Sequence, residues 1–179
     1  MKVDIFNTDK KYNIIYADPP WSYGDKQNSS CRGGAIKHYQ TMKTSEICLL
    51  PIKNIIKENS VLFLWVTSPL LEECFEVIKS WGFKYKASFV WDKVLHNMGH
   101  YNSVRHEFLL IATKGKATPQ VHKLFDSVVS IERSKKHSEK PKEFREIIDY
   151  LYPNGNRIEL FARQSTEGWD RWGLEAPND

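Results

Sequence analysis

Short apolar runs alternate along the chain with segments whose apolar residues recur at helical spacing. Residues 60–67 (SVLFLWVT) are apolar almost throughout, which is typical of a central parallel strand covered on both faces. A second apolar run, residues 13–17, ends at a proline doublet, and such doublets end strands. We predict further strands at residues 84–91, 107–113, 127–131 and 157–161.

Three segments show the helical period. Residues 44–57 are predicted helical, with Pro51 kinking or restarting the helix. Ser68 is predicted as the N-cap of the second helix, and Gly82 as its end. The third helix begins at Pro141, and its apolar stripe is Phe144, Ile147, Ile148 and Leu151. Strands and helices in this order predict an α/β fold, an open and mostly parallel sheet with helices on both faces.

Two connections stand out between the predicted elements. Residues 22–38 form a long polar stretch with three glycines, and loops of that length in compact domains are usually functional or disordered. Residues 92–104 form the second connection. Both follow the carboxyl end of a predicted strand, which is where α/β sheets bind ligands.

Composition narrows the class of protein. The chain has 179 residues, 41% of them hydrophobic and 27% charged, which excludes a disordered chain and predicts a single domain over residues 1–179. A formal net charge of +4 permits nucleic acid as a partner without demanding it. Three cysteines without CxxC spacing predict neither disulfides nor a zinc site, and no metal site is expected. With no signal peptide or membrane-length run, we expect a cytoplasmic protein.

The strongest chemical signal is Asp18-Pro19-Pro20-Trp21, directly after the first predicted strand. The exocyclic amine of a nucleobase is planar and a poor nucleophile, because its lone pair is delocalised into the ring. A carboxylate from Asp18 and a main-chain carbonyl from the rigid proline turn would stabilise the charge that develops when this amine attacks. Trp21 would offer a face for a flipped-out base. The alternative is an ordinary strand end, with Trp21 in the core.

Further motifs accompany this one in order along the chain. They are HYQTM at residues 38–42, LFLWVT at 62–67, VWDK at 90–93, RHEF at 105–108, Lys140-Pro141, IELFAR at 158–163 and GWDRWG at 168–173. Together they resemble the MTA-type family of N(6)-adenine methyltransferases. This family includes the catalytic subunit of the eukaryotic messenger-RNA adenosine methyltransferase and many bacterial and phage DNA-modifying enzymes. The resemblance covers residues 12–173.

The resemblance implies S-adenosylmethionine as cofactor and a Rossmann-like methyltransferase domain in permuted order, with the catalytic motif before the cofactor motif. Residues 18–21 would be catalytic, and Asp18 and Pro19 would also touch the donor. Further donor contacts would come from Asp4, Ile5, Lys140, Glu159, Phe161, Arg163, Gln164, Ser165 and Glu175. The substrate side would comprise Trp21, Tyr39, Trp91 and Lys93. Leu174 departs from the family pattern, which usually has asparagine there, and puts part of the ribose contact in doubt.

Several of these residues have a purely structural alternative. Glu159 could form an ion pair with Arg157 or Arg163. Lys140 could be a solvated residue, and Tyr39 could pack. Trp91 is expected to be partly core, and a tail containing Trp169 and Trp172 is expected to pack on the domain.

Positive charge is concentrated in residues 132–142 and in the loop with Lys26, Arg32 and Lys37. S-adenosylmethionine carries no phosphate, so these charges match a nucleic-acid backbone better, and Arg133, Lys135 and Lys136 are the predicted contacts. A solvated face is the alternative.

The function predicted from the sequence is methylation of the 6-amino group of adenine in nucleic acid. DNA is favoured over RNA, because a bare catalytic domain resembles the bacterial and phage enzymes. The alternatives are adenosine in RNA, another planar amine, or a silent partner subunit that binds nucleic acid. The intact DPPW motif favours an active enzyme. A homodimer or a heteromeric partner is compatible with this function, and the expected compartment is bacterial or phage-infected cytosol.

Overall fold

The computed structural model describes residues 1–23, 41–99, 101–134 and 139–178. Its strands are β1 Tyr12–Ala17, β2 Ile56–Val66, β3 Lys84–Asn97, β4 Val104–Lys114, β5 Val128–Ser130, β6 Arg157–Leu160 and β7 Asp170–Trp172. Its helices are α1 Thr44–Cys48, α2 Ile52–Ile55, α3 Leu71–Ser80 and α4 Lys142–Leu151, with a 3₁₀ turn at Ser68–Leu70. Within these ranges, no helix is both long and apolar enough to cross a membrane.

The seven strands form one sheet in the order β5-β3-β4-β2-β1-β6-β7. β1 pairs in parallel with both β2 and β6, and β7 continues in parallel beyond β6. β4 runs antiparallel to β2 and to β3, and β5 is parallel to β3. The prediction of a mostly parallel α/β sheet is therefore confirmed.

Helices cover both faces of the sheet, as predicted. Alternate residues of a strand point to opposite faces. Ile15 and Leu62 lie in one apolar cluster with residues of α1, α2 and α3. Tyr16 and Phe63 lie in a second cluster with Phe144 and other residues of α4. β1 and β2 are apolar on both sides for this reason. Strands of this kind appear in the sequence as continuous apolar runs, and this is why both could be predicted.

The second predicted connection, residues 92–104, is wrong in its bounds. β3 continues to Asn97 and β4 begins at Val104, so only residues 98–103 connect them. The pairing is irregular between Asp92 and Asn97, where Val94 has φ +65°. A strand that is irregular and largely solvent-exposed lacks the alternating apolar pattern by which strands are recognised.

Three further boundaries differ from the prediction. The first helical segment restarts at Pro51 as predicted, giving α1 and α2, but its last two residues, Ile56 and Lys57, already belong to β2. Ser68 makes no side-chain cap and instead begins the 3₁₀ turn. β7 was not predicted as a strand, because its three residues carry two charges and show no period.

Candidate active site

The carboxyl ends of β1, β6 and β7 meet at one edge of the sheet and enclose a cavity of about 370 Å³. Asp18 follows β1, Phe161 and Arg163 follow β6, and Glu175 follows β7. The cavity is further lined by Phe6, Pro20, Thr41, Met42, Glu46, Leu50, Trp172, Gly173 and Leu174. Residues from the two ends of the chain are thus brought to one site, as the permuted order requires.

The DPPW turn is held by its own backbone and by the residues before α1. The Trp21 amide donates to the Pro19 carbonyl at 2.9 Å. The Met42 amide donates to the Pro20 carbonyl at 2.7 Å, and the Ser22 amide donates back to Met42 at 2.9 Å. A carbonyl oxygen has two lone pairs, so Pro19 keeps one acceptor site beyond its bond to Trp21.

The two tryptophans predicted on the substrate side are buried. Trp21 is 7% exposed, and its indole N–H donates to the Trp65 carbonyl at 3.0 Å. Trp91 is 3% exposed, and its indole N–H donates to the Ile131 carbonyl at 2.7 Å. Side chains held in this way offer little face to a base, so the structure favours the packing alternative for both.

Four side chains of alternating charge form a chain beside the cavity, which we call the charged row: Asp18, Lys140, Glu107 and Lys93. The Lys140 ammonium lies 2.9 Å from Asp18 Oδ2 and 3.4 Å from Glu107 Oε2. Glu107 also accepts a hydrogen bond from Lys93. The Lys140 side chain is only 9% exposed. Asp18 follows β1, Glu107 lies on β4 and Lys93 lies on β3, so the row crosses the edge of the sheet.

The electrostatics keep the inner members of this row ionised. Burial disfavours the charge on Lys140, but the carboxylates of Asp18 and Glu107 outweigh it and raise the pKa of the ammonium. Burial would likewise raise the pKa of Glu107, yet the ammonium groups of Lys140 and Lys93 lower it. The Lys140 ammonium also lies 5.6 Å from the centre of the Trp65 ring. The Asp18 carboxylate is therefore held by a buried cation.

Glu159 lies on the α4 side of the sheet and is not part of the cavity wall. Its carboxylate accepts a hydrogen bond from Arg145 at 2.6 Å, so the two arginines weighed as partners in the sequence were the wrong ones. The Arg145 guanidinium also lies 5.2 Å from the Tyr16 ring and 5.9 Å from the Trp169 ring. Burial raises the pKa of Glu159 to about 7 against the attraction of Arg145.

Aromatic side chains form much of the cavity wall. Trp172 contacts Phe161 edge-on at 5.3 Å between ring centres, and Phe6 contacts it edge-on at 6.2 Å. Gly173 has φ +156°, and a Cβ there would lie 2.9 Å from the Phe161 Cα and the Ala162 amide nitrogen. Only glycine permits this close approach, which shapes the wall.

The mouth of the cavity carries an exposed ion pair. Arg163 Nε lies 3.4 Å from Glu175 Oε2. Leu174, between this pair and Gly173, is almost fully exposed. Its side chain offers the cavity an apolar surface and no hydrogen-bonding group.

Several predicted site residues lie away from the cavity wall. Asp4 accepts the Phe6 amide at 3.0 Å in a tight turn, and Ile5 is buried in the core. Gln164 and Ser165 are exposed, as is Arg133. Lys93 is occupied in the charged row. Tyr39, Lys135 and Lys136 lie outside the described residues, together with the loop cations Lys26, Arg32 and Lys37.

The sequence analysis missed several residues of the site, among them Thr41, Met42, Glu46, Leu50 and Gly173 of the cavity wall. Glu107 occurs near the start of a strand that is apolar from Phe108 onward, and an acid at such a position was the available signal. Arg145 and Phe6 gave no sequence signal of a role in the site, because their partners are distant in the chain. Trp172 was assigned to packing together with Trp169. Trp169 is buried as predicted, whereas Trp172 both packs and lines the cavity.

The comparisons with known proteins agree with this arrangement. The family described as MT-A70 matches residues 12–175. The chain is 38% identical over 187 residues to the "Type II methyltransferase M.MunI" of a Mycoplasma species, covering 95% of this chain and 80% of that protein. It is 28% identical over 194 residues to the human "N(6)-adenine-specific methyltransferase METTL4", covering 96% of this chain and 39% of that protein.

A third relative is the human "N(6)-adenosine-methyltransferase catalytic subunit METTL3", which is 28% identical over 162 residues. The alignment covers 86% of this chain and 26% of that protein, so the chain spans about a quarter of it. The family match extends from the first residue of β1 past the end of β7 and includes every strand of the sheet. This chain therefore belongs to the MT-A70 family.

Proposed function

We propose that the chain transfers a methyl group from S-adenosylmethionine to the 6-amino group of adenine in nucleic acid, with DNA as the favoured substrate. The observation that carries this proposal is Asp18, a carboxylate at the wall of the cavity that a buried ammonium, Lys140, holds at 2.9 Å. Asp18 is the first residue of the DPPW motif and follows β1 at the sheet edge where α/β folds bind ligands.

The residues around the cavity fit S-adenosylmethionine. Phe161, Trp172 and Phe6 offer aromatic surface to an adenine, and Gly173 lets the backbone after β7 pack closely against the backbone after β6. Asp18 offers negative charge to a sulfonium, and Glu175 offers acceptors to ribose hydroxyls at the mouth. When bound, the cofactor would supply an electrophilic methyl group on a positively charged sulfur.

The residues of the chain would act mainly on the substrate amine. The Asp18 carboxylate would accept one N–H of the amine, and the remaining lone pair of the Pro19 carbonyl would accept the other. Both acceptors favour the tetrahedral nitrogen and stabilise the positive charge that grows as its lone pair forms the new N–C bond and the C–S bond breaks. The proton that the nitrogen then loses leaves along its hydrogen bond to Asp18 and passes to water.

Lys140 would contribute by orienting Asp18 before the substrate arrives. A preformed acceptor needs no reorganisation during the reaction, and this is where electrostatic catalysis gains most. Glu107 and Lys93 extend the row, so that Lys140 is held from both sides. A catalytically silent partner subunit is disfavoured, because the acid and its supporting cation are both present.

DNA is favoured because the type II methyltransferase relative is 38% identical and this chain spans 80% of it. RNA is the second candidate, since another relative is named an N(6)-adenosine-methyltransferase. The test is to incubate the protein with isotopically labelled donor and unmodified DNA or RNA, and to identify the product nucleoside by mass spectrometry. We expect N(6)-methyldeoxyadenosine from DNA. Label in cytosine, or in neither polymer, would contradict the proposal.

A further inference from the structure

The end of the β3–β4 hairpin projects beyond the sheet, and we define the arm as residues 94–99 and 101–105. We propose that the arm inserts into the nucleic acid beside the target base, with Met98 and Tyr101 contacting the neighbouring bases. This inference rests on the proposed function and names how that site reaches a base paired inside a duplex.

The arm begins where the charged row ends. Lys93 and Glu107, the outer members of the row, lie on the two strands of the hairpin at its base. β3 runs parallel to β2 and β1, so its carboxyl end leaves the sheet at the edge that carries Asp18. The pair Asn97–Val104 lies two β4 residues beyond the pair Asp92–His106, which at about 3.3 Å per residue is roughly 7 Å farther out, and Met98 and Tyr101 follow beyond it. The tip therefore lies beyond the same edge of the sheet as Asp18.

The arm is held firmly at its base. Asp92 accepts hydrogen bonds from Arg105 at 2.6 Å, from the Val94 amide at 3.0 Å and from Ser130 at 3.0 Å. Its own carbonyl accepts the Ile131 amide at 3.0 Å, which ties the hairpin to the end of β5. These bonds lower the pKa of Asp92 to about 2, Arg105 being the largest cause. A rigid base is what a side chain needs in order to push against a base stack.

The tip of the arm exposes large apolar side chains. Met98 and Tyr101 are fully exposed, and Val94 and Leu95 are each more than two-fifths exposed. Exposed apolar side chains of this size are what architectural proteins insert between base steps to unstack them. Tyrosine additionally stacks on bases of any sequence.

Nucleic acid fits the arm better than a second protein chain does. Two side chains of this size bury at most about 500 Å² together. A standard protein interface buries about 800 Å² on each partner, so the tip alone is too small for one. Ile131 is hydrogen-bonded to the base of the arm, and the exposed Arg133 follows two residues later. The formal net charge of the whole chain is +4. The surroundings thus suit a phosphate backbone.

The test compares the double variant Met98→Ser, Tyr101→Ser with wild type on two substrates. One is a duplex whose target adenine faces thymine, and the other is the same duplex with an abasic site opposite that adenine, which is already loosely held. We expect kcat/KM to fall by about tenfold or more on the paired duplex and by less than about twofold on the abasic duplex. The matched control is Leu124→Ser, since Leu124 is also fully exposed but lies outside the arm.

A second measurement separates this inference from the proposed function. A duplex with 2-aminopurine at the target position reports unstacking by fluorescence without any methyl transfer. We expect wild type to raise the fluorescence and the double variant to lose most of that rise. If neither polymer is methylated but the fluorescence rise depends on the arm, the proposed function is wrong and the proposed insertion of the arm is supported.

Two results would contradict the proposal that the arm inserts into nucleic acid. One is equal activity of wild type and double variant on the paired duplex with an equal fluorescence rise. The other is a wild-type dimer that the double variant converts to monomer in sedimentation, which would make the tip a contact between copies of this chain.

Discussion

At the scale of single residues, the site depends on charges that would be costly if they stood alone. Lys140 is tolerated in the interior because two carboxylates contact it, and Glu107 because two ammonium groups do. The sequence identified Asp18, Lys140 and Lys93 but could not connect them. Their pairing depends on Glu107 and on strand neighbours far away in the chain. Charge partners of this kind follow from the tertiary fold and have no local pattern.

Asp18→Ala should reduce methyl transfer by at least about 10²–10³-fold, because a preorganised acceptor at the developing charge is lost. The fold should persist, since Lys140 keeps Glu107 at 3.4 Å. Initial rates and thermal melting of the variant provide the measurement, with the exposed Asp9→Ala as control. Near-normal turnover with bound donor would show that Asp18 is not catalytic.

Glu159 should make stability depend on pH in an unusual direction. Its folded pKa of about 7 lies above the ordinary value of 4.5, so its contribution is fully present below pH 4.5 and is lost as pH rises through 7. From pH 4 to 8 this amounts to at most about 3 kcal/mol. Glu159→Gln should flatten the dependence in urea unfolding measured across that range.

The control for this pH series is Glu146→Gln, on the exposed side of the same helix as Arg145. It should leave the pH dependence as it is in wild type. A wild-type protein whose stability instead rises from pH 5 to 8, with Glu159→Gln removing that rise, would mean that Arg145 lowers the pKa of Glu159 and that burial does not prevail.

At the scale of elements, the strands that are buried on both faces were the ones that the hydrophobic pattern predicted best. β1 and β2 are buried on both faces and were predicted almost to the residue at their carboxyl ends. The start of β2, the arm and β7 are exposed or charged, so hydrophobic period could not find them. The aromatic wall of the cavity shares this difficulty, because it joins Phe6 to residues after β6 and on β7.

Gly173→Ala tests the wall that follows β7. A Cβ at 2.9 Å from the Phe161 Cα and the Ala162 amide nitrogen must displace backbone, which costs about 1–3 kcal/mol of stability. It should also weaken binding of S-adenosylhomocysteine by about tenfold, measured by calorimetry, if the cavity holds the donor. Gly168→Ala is the control, since φ there is also positive but its added Cβ would contact nothing within 4 Å. Equal affinity of Gly173→Ala and wild type for S-adenosylhomocysteine would contradict the proposal that this cavity binds the donor.

At the scale of the whole molecule, the basic residues should act on nucleic acid and not on the donor. Neutralising Arg133, Lys135 and Lys136 together should weaken binding similarly across sequences. The slope of log affinity against log salt should flatten by up to about 0.9 per lost contact on duplex DNA, or about 0.7 on single strands. Fluorescence binding over a salt series measures it. An unchanged slope would mean that these residues form a solvated surface and do not contact the phosphate backbone.

The order of the sheet also has a consequence for biosynthesis. β1 lies between β2 and β6, yet β6 begins at Arg157, and β1 ends at Ala17. At ribosomal rates of about 5–20 residues per second, one hydrogen-bonding edge of β1 waits roughly 7–30 s for its partner. An apolar strand with an open edge is prone to pair with other chains. Yield from a cell should therefore respond to chaperone supply and to slow codons between residues 66 and 157 more than the stability of the finished protein would suggest.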